Sequence, residues 1–126
     1  MCPVYINRIA SIHAESRNEK PYFSAQEPDY KEMITNANLR RRMSRMIKMG
    51  VACGLECLKD IPSEKVDAII TATGLGCLAD TEKFMNALMD NREQMLNPTA
   101  FIQSTFNTLG AQLALLLKIH AYNVTY

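Results

Sequence analysis

The chain has 126 residues, 48% hydrophobic and 21% charged, an ordinary globular composition with enough length for one domain and a sizeable core. A formal net charge of +1 excludes a general polyanion binder, whose affinity rests on clustered excess Lys and Arg, so no nucleic-acid partner is expected. No apolar run approaches the roughly 18 residues of a membrane span, so none is expected either.

Residues 2–12, CPVYINRIASI, are rich in Val, Ile and Tyr with partial alternation, which predicts a strand or a strand leading into a loop. From Glu15 to Tyr30 the text is polar and broken by Pro21 and Pro28, and reads as a long surface connection. From Asn38 onward Leu39, Met43, Met46, Ile47, Gly50, Val51, Gly54 and Leu58 recur at three- and four-residue steps. That period predicts one amphipathic helix, capped by Asn36 or Asn38 and ended before Pro62. Gly50 and Gly54 fall on its apolar side, where a missing side chain lets another backbone approach, at a propensity cost of about 1 kcal/mol each. The basic run Arg40–Arg42 reads as a solvated helix start, with a contact to phosphate or an acidic partner as the alternative.

Ser63 to Asp67 lead into AIITATG, residues 68–74, a short apolar run of β-favouring residues that fits a buried strand and hence an α/β sheet. After Gly74-Leu75-Gly76 a helix is predicted over Thr81–Met89, starting near Asp80 as its N-cap. DNREQMLNP closes it, and Pro98 restarts the chain toward a second helix, Phe106 to Lys118. Leucines nearly surround that second helix, which predicts burial between layers. The residues after it read as the start of another strand.

Candidate chemistry is sparse. Gly74-x-Gly76-x-x-Ala79 is formally a dinucleotide fingerprint, but the acidic residue that should follow about 20 positions on, at the end of a strand, falls in LMDNREQMLNP, which is no strand. A tight turn is the favoured reading. Cys53 and Cys57, at i and i+4, could present two thiolates on one helix face, yet lack further ligands, and are read as small buried hydrophobes. Cys77 sits in a turn beside a helix N-terminus, where a thiol pKa can fall, but no base accompanies it. His13 and His120 belong to no constellation. With four cysteines and no secretory leader, a reducing cytoplasm is expected, and the sequon Asn123-Val124-Thr125 is read as accidental.

IITATGLGCLADTEKF, then Pro98, then Phe106-Asn107-Thr108-Leu109-Gly110-Ala111 and the leucine-rich helix resemble the N-terminal part of the β-ketoacyl synthases of the thiolase superfamily. Thr73-Gly74-Leu75-Gly76-Cys77 is similar to that family's GTGxGG turn, and Asn107–Ala111 to its NxxAG motif with Ala and Gly exchanged. The divergent ketosynthase-like and chain-length-factor proteins of aryl polyene-type pigment pathways look closest.

The resemblance implies a partial thiolase-like α/β fold over residues 1–126, the N-terminal portion of an α/β/α/β/α layered domain, with an incomplete sheet and a buried helix. It implies a role in fatty-acid or polyketide biosynthesis with acyl carrier protein as partner, as a homodimer or a heterodimer with a ketosynthase, and no cofactor or metal. By position, Gly74, Gly76, Cys77, Leu78, Thr81 and Phe106 would wall the acyl pocket, and Thr105, Asn107, Asn123 and Thr125 would lie at the subunit interface. Two departures stand out. Ala121-Tyr122 replaces the family's Gly-Pro, and the nucleophilic Cys and later catalytic His or Asn would follow residue 126. The chain is therefore expected to stop short of the nucleophile strand and to be inactive alone, with no catalytic residue and with Cys77 no substitute for one. The alternatives are a non-catalytic chain-length factor paired with a true ketosynthase, or a small stand-alone α/β binding domain.

Overall fold

The computed structural model describes residues 3–14 and 24–126. In chain order it contains α1 (Tyr30–Met33), α2 (Ala37–Arg42), α3 (Arg45–Cys57), a 3-10 turn (Ser63–Lys65), β1 (Ala68–Thr71), α4 (Leu78–Asp90), α5 (Pro98–Ser104), α6 (Thr108–Leu117) and β2 (Tyr122–Thr125).

The two strands pair in parallel, Ala68 opposite Tyr122 through Thr71 opposite Thr125. A parallel pair needs a long crossover, and α4, α5 and α6 supply it. α6 lies against α3 on one side and both strands on another, so the expected α/β arrangement of an incomplete sheet with a buried helix is present. Thr108, Gly110 and Leu113 of α6 are buried, and only Leu115 is left 74% exposed among its leucines. Gly50 and Gly54 explain the close approach. A Cβ at Gly54 would lie 2.6 Å from both δ-carbons of Leu113, and one at Gly50 would lie 2.9 Å from Cγ of Leu109. The core gathers Ile34, Met43, Ile47, Val51, Ile69, Leu113 and Ile119 at this junction.

Several local expectations are corrected. The single helix over Leu39–Leu58 is two, because the backbone turns extended at Met43 (ψ 134°) and Ser44 (ψ 170°). The break swings Met43 into the core, where it is 4% exposed, and Gln103 donates its side-chain amide to the freed Arg42 carbonyl. Asn36, rather than Asn38, caps α2, its Oδ1 accepting from Asn38 N and Leu39 N at 3.1 Å each. Arg40–Arg42 form the last turn of α2 rather than a helix start, where cations complement the carbonyl end of the dipole.

No strand forms over residues 3–12: an apolar alternating stretch needs a partner ladder, and among the described residues none pairs with it. Val4, Ile6 and Ile9 are left 96%, 81% and 77% exposed. Arg8 fastens the segment instead, donating to the carbonyls of Glu56 (3.2 Å), in the last turn of α3, and Lys59 (2.6 Å), just beyond it. Cys2 and most of the expected 15–30 connection lie outside the described residues; 24–29 is irregular, as expected, and Tyr30 begins the unforeseen α1. β1 is buried on one face only, since Ile70 is 67% exposed. α4 starts at Leu78 with Cys77 in the N-cap position, so Asp80 lies inside its first turn. α5 was also unforeseen; Asn97 caps it, accepting from Thr99 N at 2.9 Å, and Pro98 fills its first position.

Candidate functional site

In sheets with parallel strands, ligands bind in the crevice outside the carboxyl ends of the strands. Here both strands end at the same place. Thr73 N donates to Tyr126 O (2.9 Å) and Tyr126 N to Thr71 O (3.0 Å), carrying the pairing one step beyond the ladder. The chain then turns sharply: Gly76 N donates to Thr73 Oγ1 at 2.9 Å, and Gly76 takes a φ of +59°. Only glycine enters that region without strain. Gly74, by contrast, has open space where a Cβ would stand.

The turn delivers Cys77 to the start of α4 with 6% exposure. Burial pushes its thiol pKa up from the ordinary 9.0, and the nearby Asp80 carboxylate adds to the rise. A helix start can lower a thiol pKa, but here desolvation wins. Cys77 is thus a protonated, apolar wall element. Four residues on, Thr81 Oγ1 lies 3.0 Å from Ser104 O and 3.2 Å from Cys77 O, tying the first turn of α4 to the end of α5. That tie places Thr105 and Phe106. Thr105 Oγ1 is held by Thr108 Oγ1 at 2.9 Å, and Phe106 stands 62% exposed, its Cβ 3.6 Å from where a Gly76 Cβ would be.

Between these elements lies an outer cleft of about 550 Å³, with Thr73, Thr81, Ser104 and Thr125 contributing hydroxyls to its lining. Beside it, sharing Thr73, Gly76, Cys77, Phe106 and Thr125, is a narrower and mainly apolar cavity of about 170 Å³, closed by Met46, Ile47 and Leu109. The outer cleft carries more polar surface than the inner cavity, which suits a ligand with a polar end and a short hydrocarbon portion.

Of the ten residues singled out by sequence, Gly74, Gly76, Cys77, Thr81, Thr105, Phe106, Asn107 and Thr125 border the outer cleft. Leu78 and Asn123 lie outside both cavity linings. Leu78 is 57% exposed on α4, and Asn123 Oδ1 lies 2.6 Å from where a Gly110 Cβ would be, beneath α6. Sequence reasoning missed Thr71, Thr73, Met46 and Ile47. The alternation of Thr71 and Thr73 through the strand end was the available signal.

The other sequence candidates stay apart from the cleft. His13 Nδ1 meets Ser11 Oγ at 3.3 Å on an exposed segment, and His120 borders a separate surface depression. Cys53 and Cys57 are half-buried on α3, and burial followed by the neighbouring Cys57 raises the pKa of Cys53. Among the described residues no three His, Cys, Asp or Glu side chains cluster to hold a metal ion. The formal dinucleotide fingerprint is a tight turn: α5, not a strand with an acidic end, follows α4.

No curated protein matches the chain. Among solved structures, the chain is similar to the ketosynthase ApeO in complex with its chain length factor ApeC from Xenorhabdus doucetiae, with a TM-score of 0.63 and 23% identity over 86% of this chain. The match spans 42% of the chain in that structure, and it establishes a shared fold. The family model for the β-ketoacyl synthase N-terminal domain matches residues 13–124, which comprises nearly every element around the cleft, and the chain belongs to that family.

Proposed function

We propose that the chain forms one wall of the acyl-binding cleft in a β-ketoacyl-[acyl carrier protein] synthase system of the aryl polyene type, with fatty-acid or other polyketide synthesis as the wider class. One observation carries the reading: a cleft beyond the ends of β1 and β2, bordered in part by threonines and Ser104, opens beside a more apolar cavity across Phe106 and Gly76. A carrier-borne acyl thioester has that two-part character.

Claisen condensation transfers the acyl group to a thiolate, then joins it to the carbanion left when malonyl loses carbon dioxide, with polar donors stabilising the thioester enolate. Cys77 does not suit the thiolate role, because burial keeps it protonated and neither described histidine borders the cleft. In this reading Gly76, Cys77 and Phe106 shape the acyl pocket, while Thr81 positions Phe106 through the Ser104 carbonyl. Thr105, Asn107 and the β2 edge with Asn123 and Thr125 form the surface for a second, ketosynthase-type subunit, in the cytoplasm. Acyl carrier protein delivers the substrate.

Ala121-Tyr122 at the start of β2, in place of the Gly-Pro of the synthases, favours a chain-length factor over a self-sufficient synthase. The test is product analysis by mass spectrometry with acyl- and malonyl-carrier protein, for the protein alone and with a ketosynthase subunit. Condensation only in the mixture, with Phe106→Ala shifting products to longer chains, is expected. Unchanged product lengths in Phe106→Ala would sink the pocket assignment, and full activity alone would sink the chain-length-factor reading.

A further inference from the structure

Away from the cleft, the packing of α1, α2 and α3 gathers positive charge. Residues 27–48 carry six cations (Lys31, Arg40, Arg41, Arg42, Arg45, Lys48) against three anions (Glu27, Asp29, Glu32), a net +3, while the whole chain is +1. One anion is already engaged: Glu27 accepts from Tyr30 Oη at 2.7 Å and pairs with Arg45. Its pKa is lowered, first by the Tyr30 hydrogen bond and then by Arg45.

Four of the remaining cations border one concavity of about 250 Å³: Lys31 from α1, Arg40 and Arg41 from α2, and Lys48 from α3. Asp29 is the one carboxylate in its wall, and it is occupied in capping α1, accepting from Lys31 N at 2.9 Å. Among the described residues, no carboxylate lies within ion-pair distance of these four side chains. The two guanidinium groups are held in place by neutral acceptors, Arg40 by Ile34 O and Arg41 by Asn38 Oδ1 (2.6 Å). A guanidinium has five N–H donors in a planar fork. Each bond therefore fixes the group while leaving donors free, and a fixed fork matches the oxygens of a phosphoryl group. Water occupies about 30 Å³ per molecule in the liquid, so the concavity has room for a tetrahedral anion with several waters.

We infer that this concavity is a binding site for a phosphoryl group, carried by a soluble phosphate ester or a lipid headgroup and held by Arg40, Arg41, Lys31 and Lys48. It is separate from the acyl cleft, and its test does not involve condensation. The first probe is inorganic phosphate, followed by ³¹P line broadening and calorimetric titration. Saturable binding is expected, weakened tenfold or more in the double variant Lys31→Gln/Lys48→Gln and unchanged in Lys65→Gln. Arg41→Lys, which keeps the charge and removes the fork, should weaken binding at least threefold and serves if the double variant does not fold.

Glycerol 3-phosphate and phosphatidate vesicles then separate the sources. Binding of the soluble ester that the variants lose supports an ester ligand. Binding confined to vesicles, and lost in the same variants, supports a headgroup. No saturable binding of any of the three probes, or binding that the variants retain, overturns the assignment.

Discussion

Substituting Gly54 with Ala measures how tightly α3 and α6 are seated. In the middle of a helix, Gly→Ala on its own gains about 1 kcal/mol from backbone entropy and propensity. Against this, the new methyl would stand 2.6 Å from both δ-carbons of Leu113 and 3.2 Å from its Cγ. Leu113 is 6% exposed in the core and, unlike Leu109, does not border the inner cavity. Overpacking of that kind costs about 1–3 kcal/mol, and here both methyls and the branch carbon are pressed, which favours the upper half of the range. The expected net effect is a loss of about 1–2 kcal/mol, read from the urea midpoint at unchanged slope.

Gly50→Ala offers an internal contrast. Its methyl would press on Leu109, but Leu109 borders the 170 Å³ cavity and can rotate into it, so the net change should be near zero. The decisive comparison is a double-mutant cycle. Leu113→Ala alone should cost about 2–5 kcal/mol. In that background the clash is gone, and Gly54→Ala should turn stabilising by about 1 kcal/mol. A coupling of about 2–3 kcal/mol follows, well beyond the roughly 0.5 kcal/mol within which independent sites add. Gly54→Ala that stabilises the otherwise unchanged protein, or acts equally in both backgrounds, would refute the reasoning.

Other outcomes follow from single residues. Lys118 ends α6 in the left-handed conformation (φ 54°, ψ 39°), and Lys118→Gly should raise stability by about 1 kcal/mol by removing Cβ strain, visible as a higher thermal midpoint. Arg8→Ala removes the donor to the Glu56 and Lys59 carbonyls, costing about 0.5–1.5 kcal/mol and speeding amide exchange of residues 3–12 without slowing exchange elsewhere. Cys77 has a pKa raised above the ordinary 9.0 by burial and then Asp80, so the folded state holds its proton longer than the unfolded state. The stability this contributes is complete below pH 9 and declines as pH rises through the folded value. Alkylation of Cys77 at pH 8 should accordingly be slower than in the urea-unfolded chain and quicken in Asp80→Asn; equal rates folded and unfolded would exclude the buried, protonated thiol.

Segments whose own residues dictate their conformation were legible in the sequence. α6 was visible because leucines spaced around a helix admit little else, and β1 because Ile69, Ile70 and Thr71 follow a turn and precede glycines. The Gly76 turn was found for its stated physical reason, a backbone that takes positive φ. Elements decided by distant contacts escaped. The α2–α3 break follows no local signal, since Leu39, Met43 and Ile47 keep perfect helical spacing across it; the bend is favoured because it carries Met43 into a core built partly by Ile34 and Ile69. The strand expected near residues 2–12 failed for the complementary reason: its residues favour extended backbone, but β structure requires a partner. α5 was hidden by its brevity, its cap Asn97 and N1 Pro98 being readable only as a loop in isolation.

The cleft shows why site and fold are not separable here. Thr71, Phe106 and Thr125 come from three places far apart in sequence, and all three border the inner cavity. They meet because Thr71 pairs with Thr125 across the parallel ladder, while the segment before α6 crosses back over the strand ends. Side chains alternate faces along a strand, so a one-residue slip of β2 would turn the Thr125 hydroxyl away and aim Val124 or Tyr126 at the cavity. The register is held from beneath α6, where Asn123 Oδ1 fits only because Gly110 has no side chain. α6 in turn is seated by Gly50 and Gly54. A methyl added at Gly54, on the helix behind the cleft, therefore lifts the element that Phe106 leads into at one end and that leads into β2 and Thr125 at the other. Such a substitution should widen or misalign the pocket even where the protein remains folded.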